Sequence, residues 1–243
     1  MGNDTTIDYI TTASTGNASD FGDTRISRNG SSGCSDGTYG MSTTGNSGIA
    51  ATGFQLEYVT IASTGNSANW GDISSAQFGA NQDGSVAIGG HTRGVLAGAK
   101  GGDSNVIEYW TWASTGDTSD FGDLSVSSSD FGDTGCEDTV RGLIYTLGGF
   151  VDSTIGRVNI DYITIATTGN ASDFGDAVFK VEWSGGFSNG TRAESWAGVY
   201  APGGTYTTLD SIEYVTIQST GNGTDQGNLD EPGQSFCCAE GSA

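Results

Sequence analysis

Positive charge is scarce in this chain. Only 8 Lys and Arg stand against 29 Asp and Glu in 243 residues, for a formal charge of −21. A surface that acidic repels polyanions, so neither nucleic acid nor an anionic membrane surface is expected as a partner. Proline occurs twice and histidine once, at His91, where no Ser or Cys motif surrounds it. His91 therefore reads as a surface-loop residue. No apolar run approaches the roughly 18 residues of a spanning helix, so no membrane insertion is expected. The opening "MGNDTT" lacks a basic stretch followed by an apolar one, and no export signal is expected. "NAS" at 17 and 170 is then turn sequence and not a glycosylation site. What the chain has in quantity is Gly (41 residues), Ser, Thr and 24 aromatics. Such a composition favours strands and turns over helices, and the regular placing of the aromatics argues against disorder.

The regularity is a repeat. "IDYITIATTGNASDFGD" at 160 has close copies starting at Ile7, Leu56, Ile107 and Ile212, with spacings of 49, 51, 53 and 52 residues. Fourteen of the 29 acids lie in these five copies, so the charge is architectural and not an acidic tail. Each copy opens with alternation: Ile160, Tyr162 and Thr164 on one side of an extended chain, Asp161, Ile163 and Ile165 on the other. Thr-Gly-Asn follows, where Gly169 and Asn170 suit the positive φ of a tight hairpin turn. The return strand carries Phe174 as its buried anchor. Trp70 and Phe121 occupy the same place, and Gln226 breaks the pattern in the last copy.

A looser repeat lies between the motifs. "GCSDGTYGMSTTG" at 33, "GCEDTVRGLIYTLGG" at 135 and "GFSNGTRAESWAGVYAPGG" at 186 each read as a strand, a polar turn and a Gly-rich strand. Every period thus holds four short strands, the content of one propeller blade. The fold class predicted is all-β: a single five-bladed β-propeller over residues 1–243. "SFCCAEGSA" at the end aligns with "SGCSDGT", so the ring would close by pairing N- and C-terminal strands, with Tyr9 in the same blade system as Cys238. The closing blade then lacks its second strand or takes it from a neighbour. An open array is the alternative.

These strings carry a resemblance. The Gly-Gly pair, the Tyr-bearing strand, the turn and the following aromatic resemble the kelch blade. The motif joined to "GCSDGT" and "RG" is similar to the kelch-like repeat proteins of marine bacteriophage genomes, over nearly the whole chain. The resemblance implies a virion structural protein assembled in the host cytoplasm, present in multiple copies and in contact with other virion proteins. It implies a tail fibre or appendage adhesin for a host-surface glycan or protein, or a capsid or tail decoration, and not an enzyme. The alternative is a five-bladed glycoside hydrolase or glycan-binding lectin.

Candidate chemistry is sparse. Cys34, Cys136 and Cys238 are equivalent in three periods, with Cys237 adjacent to the last, and no C-x-x-C pair occurs. A small buried residue on the innermost strand explains the equivalence; a disulfide or a metal are the alternatives. Acid pairs recur as Asp20/Asp23, Asp120/Asp123 and Asp173/Asp176. An active site breaks repeat symmetry, whereas these pairs repeat with it, so capping of turn amides is expected, with calcium the alternative. No cofactor or metal is expected. Recognition is placed on the variable connections, where Phe54, Phe150 and Tyr206 lie in corresponding positions and suit stacking on sugar rings or filling of gaps between blades.

Overall fold

The computed structural model describes residues 5–27, 30–43, 55–74, 85–98, 104–128, 134–148, 157–181, 183–200 and 207–233. Among these residues every regular element is a β-strand. β1 (Thr6–Tyr9) and β2 (Ser19–Asp23) form a two-stranded sheet. β3 (Gly33–Ser35), β4 (Tyr39–Ser42), β5 (Gln55–Thr60) and β6 (Ala68–Asp72) form a four-stranded antiparallel sheet in chain order. A second such sheet contains β7 (Val86–Gly89), β8 (Arg93–Ala97), β9 (Ser104–Thr111) and β10 (Ser119–Ser128). β11 (Thr134–Glu137), β12 (Arg141–Gly148), β13 (Arg157–Thr164) and β14 (Ser172–Asp176) make the third. The last sheet runs β15 (Gly185–Ser188), β16 (Arg192–Trp196), β18 (Thr207–Thr216), β19 (Thr224–Gly233), with the short β17 (Val199–Tyr200) also pairing with β18.

The first strands of successive sheets lie side by side: β3 by β7, β7 by β11, β11 by β15. This is the radial arrangement of a propeller-like fold. Its core lies between sheets. Leu56 and Trp70 share an apolar cluster with Leu96, Trp110 and Trp112 of the next sheet. Ile107 and Phe121 pack with Ile144, Ile163 and Ile165, and Tyr145 and Phe174 with Ala193, Val215 and Ile217. A sheet covered on both faces explains why alternation did not sort buried from exposed residues. Ile160, Asp161, Ile163 and Ile165 are all buried, from both sides of β13.

Each long hairpin carries one extra residue on its return strand. Ile160 faces Gly175 while Asp161 faces Asp173, so Phe174 is the bulged residue, and the same shift occurs at Leu56/Glu57 and Ile212/Glu213. The bulge turns the aromatic inward: Phe21, Trp70, Phe121 and Phe174 are buried, as the sequence predicted, and Gln226 is exposed.

The expectation of a tight Gly-Asn turn is corrected. Gly169 has a positive φ, whereas Asn170 does not. The chain turns earlier, where Thr167 N–H donates to the Thr164 carbonyl at 3.1 Å, with equivalents at Ser63, Ser14 and Ser219. Thr-Gly-Asn then runs on as a loop between β13 and β14, because its hydrogen-bonding partners belong to another sheet.

Candidate functional site

Those partners define a polar structure that occurs four times among the described residues, a clasp between successive sheets. Gly65 N–H donates to the Phe21 carbonyl (2.7 Å), and Ser67 N–H to the Asp23 carbonyl (2.8 Å). In return Asp23 N–H donates to Asn66 Oδ1 (3.0 Å). The pattern recurs three times. Gly116 and Thr118 bond the carbonyls of Trp70 and Asp72, Gly169 and Ala171 those of Phe121 and Asp123, Gly221 and Gly223 those of Phe174 and Asp176. Asp117, Asn170 and Asn222 accept from the amides of Asp72, Asp123 and Asp176 at 2.9, 3.2 and 3.1 Å. The approach is too close for a side chain on the docked strand. A Cβ at Gly22, Gly71, Gly122 or Gly175 would come within 2.0–2.5 Å of the backbone of Gly65, Gly116, Gly169 or Gly221.

Behind each clasp sits a buried acid at the second position of the motif. Glu57 Oε2 accepts from Arg25 N–H (2.9 Å) and the Ser67 hydroxyl (2.7 Å). Glu108 accepts from Ser74 N–H (3.2 Å), the Ser74 hydroxyl (2.8 Å) and the Thr118 hydroxyl. Asp161 accepts from Ser125 N–H (2.8 Å) and its hydroxyl, and Glu213 from the amides of Val178 (2.6 Å) and Phe179 (3.3 Å). Burial raises the Glu213 carboxyl to about 6, against the pull of those two amides. Asp161 is raised for the same reason, opposed by Ser125. The recurrence of Asp or Glu beside the motif Tyr was visible in the sequence. Its burial was not, because only the neighbouring sheet supplies the donors.

The turns joining first to second strands lie beside the clasps. Ile61, Ile165 and Ile217 N–H groups donate to the carbonyls of Thr38, Val140 and Thr191, which brings both turn types to one face. Asp36, Asp138 and Asn189 cap these turns by accepting from the amides two and three residues on, at 2.7–3.1 Å. Arg93, Arg141 and Arg192 then stack over Tyr109, Tyr162 and Tyr214 at 4.4, 4.5 and 4.1 Å from the ring centroids.

The acid pairs play a different part from the one expected. Asp20, Asp120 and Asp173 are exposed, and the second member of each pair contributes its main-chain amide to a clasp, where Asn66, Asn170 or Asn222 does the capping. Cys34 and Cys136 are buried on first strands. Cys136 Sγ donates to the Phe187 carbonyl of the next sheet at 3.3 Å. Counted back from the capped turns, the corresponding positions hold Ile88 and Phe187, so the thiols take an apolar packing place. His91 is exposed between β7 and β8. Phe54, Phe150, Tyr206, Cys237 and Cys238 lie outside the described residues.

No family model and no curated protein matches the chain. Among solved structures, that of the protein YjhT aligns with a TM-score of 0.65 over 87% of this chain and 68% of that one, at 10% identity. The likeness is one of fold alone. It agrees with the radial stacking of four-stranded sheets and carries no activity across.

Proposed function

We propose that this protein is a bacteriophage virion structural protein, a non-enzymatic five-bladed propeller of kelch-like repeats spanning residues 1–243, its ring closed between N- and C-terminal segments. It serves as an appendage adhesin or as a capsid or tail decoration, present in multiple copies and docked on other virion proteins. The observation that supports this reading is how the uniform face spends its polar groups. Four of the five Thr-Gly-Asn/Asp loops, with the four buried acids behind them, are engaged by neighbouring sheets, which makes them scaffold and leaves recognition to the connections that differ between periods. Those connections contain Phe54, Phe150 and Tyr206, and aromatics offer large contact area at low entropic cost. The recurring acids Glu57, Glu108, Asp161 and Glu213 serve equivalent junctions, whereas a glycosidase needs a single asymmetric pair.

Replacing Phe150 and Tyr206 together by Ala should weaken binding of the purified protein to host cells, or to the virion component it docks on, by roughly 1–3 kcal/mol with the fold intact. Asn170→Ala with Asn222→Ala should loosen two clasps and leave binding by the folded protein unchanged. The opposite result would assign recognition to the clasp face.

A further inference from the structure

The clasp has two halves, and each occurs five times along the chain. The docking loops centre on Gly16, Gly65, Gly116, Gly169 and Gly221; the docked glycines are Gly22, Gly71, Gly122, Gly175 and Gly227. Four pairs are seated, each joining a loop to the glycine of the preceding sheet. Among the described residues Gly16 and Gly227 are left over, one at each end of the series. Among the described residues a Cβ at Gly227 would meet nothing within 4 Å, unlike the four seated glycines. The surface around the other half is bare as well. Asp8 is exposed where Glu57, Glu108, Asp161 and Glu213 are buried, and Ile10 is 64% exposed where Ile163 is 3%.

We propose that the Gln226–Gly227–Asn228 edge of β19 is the binding surface for the Thr15–Gly16–Asn17 loop of the same chain, forming a fifth clasp. The proposal rests on the five-bladed ring. The interaction is made by main-chain groups, so the departures at Gln226 and Asn228 do not remove it. By the pattern of the seated four, Gly16 and Ala18 N–H donate to the carbonyls of Gln226 and Asn228, and Asn228 N–H to Asn17 Oδ1. Gly227 is already set for this role. Its φ is +135°, close to the +148° or +149° of Gly22, Gly122 and Gly175, and Asp225 Oδ1 holds its amide at 3.0 Å. The same chain is the favoured occupant because both halves belong to one folded chain, so closing the junction costs none of the translational freedom that docking a second copy would. The fifth clasp is also the weakest. Gln226 replaces the buried aromatic, and by the same pattern the residue brought to Asp8 would be Asp230, which lacks the hydroxyl of Ser74 or Ser125. The ring therefore opens first at this junction.

Amide hydrogen exchange on the full chain, at two protein concentrations with the mass followed by light scattering, tests this. The Gly16 and Ala18 amides should exchange at least about 100-fold slower than unstructured amides, but faster than those of Gly65 and Ser67, in a monomer at both concentrations. Asn17→Ala should speed exchange at Asn228 by about tenfold and leave Asp123 unchanged. Unprotected Gly16 and Ala18 in a monomer would overturn the clasp. If the amides of β1 are nonetheless protected by the C-terminal segment, the ring stands and only this junction fails; if neither is protected, the ring reading falls too. Protection that grows with concentration alongside a doubled mass would assign the loop to a second copy and overturn the proposal.

Discussion

Residues 7–23 and 160–176 differ at two positions, Thr12 against Ile165 and Ser14 against Thr167. Both fold into the same hairpin with the same bulge, and both pair Tyr and Phe edge to face, at 5.9 Å for Tyr9–Phe21 and 6.1 Å for Tyr162–Phe174. Their burial diverges on the first strand only, since β2 and β14 share one pattern with Phe21 and Phe174 both buried. Asp161 and Ile163 are enclosed between sheets, whereas Asp8 and Ile10 face outward. Strand, turn and aromatic pair are thus properties of the seventeen residues themselves, while core membership is conferred by the sheet next door. A buried carboxylate is tolerated at 161 because Ser125 meets it with two donors, and without such donors its burial would be prohibitive.

The sharpest way to break the distinction is steric. Gly71→Ala places a methyl 2.0 Å from the Gly116 carbonyl oxygen, so the two sheets must part; a loss of about 3 kcal/mol or more in urea unfolding is expected. Removal of one junction acid should come next. Asp161→Ala strands the Ser125 donors and should cost about 2–3 kcal/mol, whereas Asp8→Ala in the near-identical hairpin should cost less than half as much. Equal losses would mean that the two environments are alike.

The smallest effect is a dependence on pH. The folded Glu213 carboxyl titrates near 6, above its ordinary 4.5, so the folded state takes up this proton before the unfolded chain does. Its contribution to stability is fully present below about 4.5 and is lost as pH rises through about 6. Glu213→Gln should remove that share, on the order of 1–2 kcal/mol, from the difference in urea midpoint between about pH 4.5 and 7.

Local chemistry made much of the fold legible. The strands of the described periods and the inward aromatics at 70, 121 and 174 follow from short-range rules, and they are present in the structure. The Gly-Asn signal failed because a hairpin rule asks which residues turn the chain, and these residues bond to a different sheet. The acid pairs were misassigned for a related reason: their side chains drew notice, while the group in use was the main-chain amide of Asp23, Asp123 or Asp176. Recognition by Phe54, Phe150 and Tyr206 stays a proposal from sequence, since no short-range rule identifies a ligand.

The clasp also bears on how such a chain changes length. Each junction is built from peptide groups, one glycine and one Asn or Asp, all supplied again by every period of about 50 residues. Excising or duplicating one whole period would bring together a loop and a glycine that already fit. Copy number is therefore an adjustable quantity, and unequal recombination between the near-identical stretches at 7 and 160 would change the number of sheets without introducing an unmatched junction.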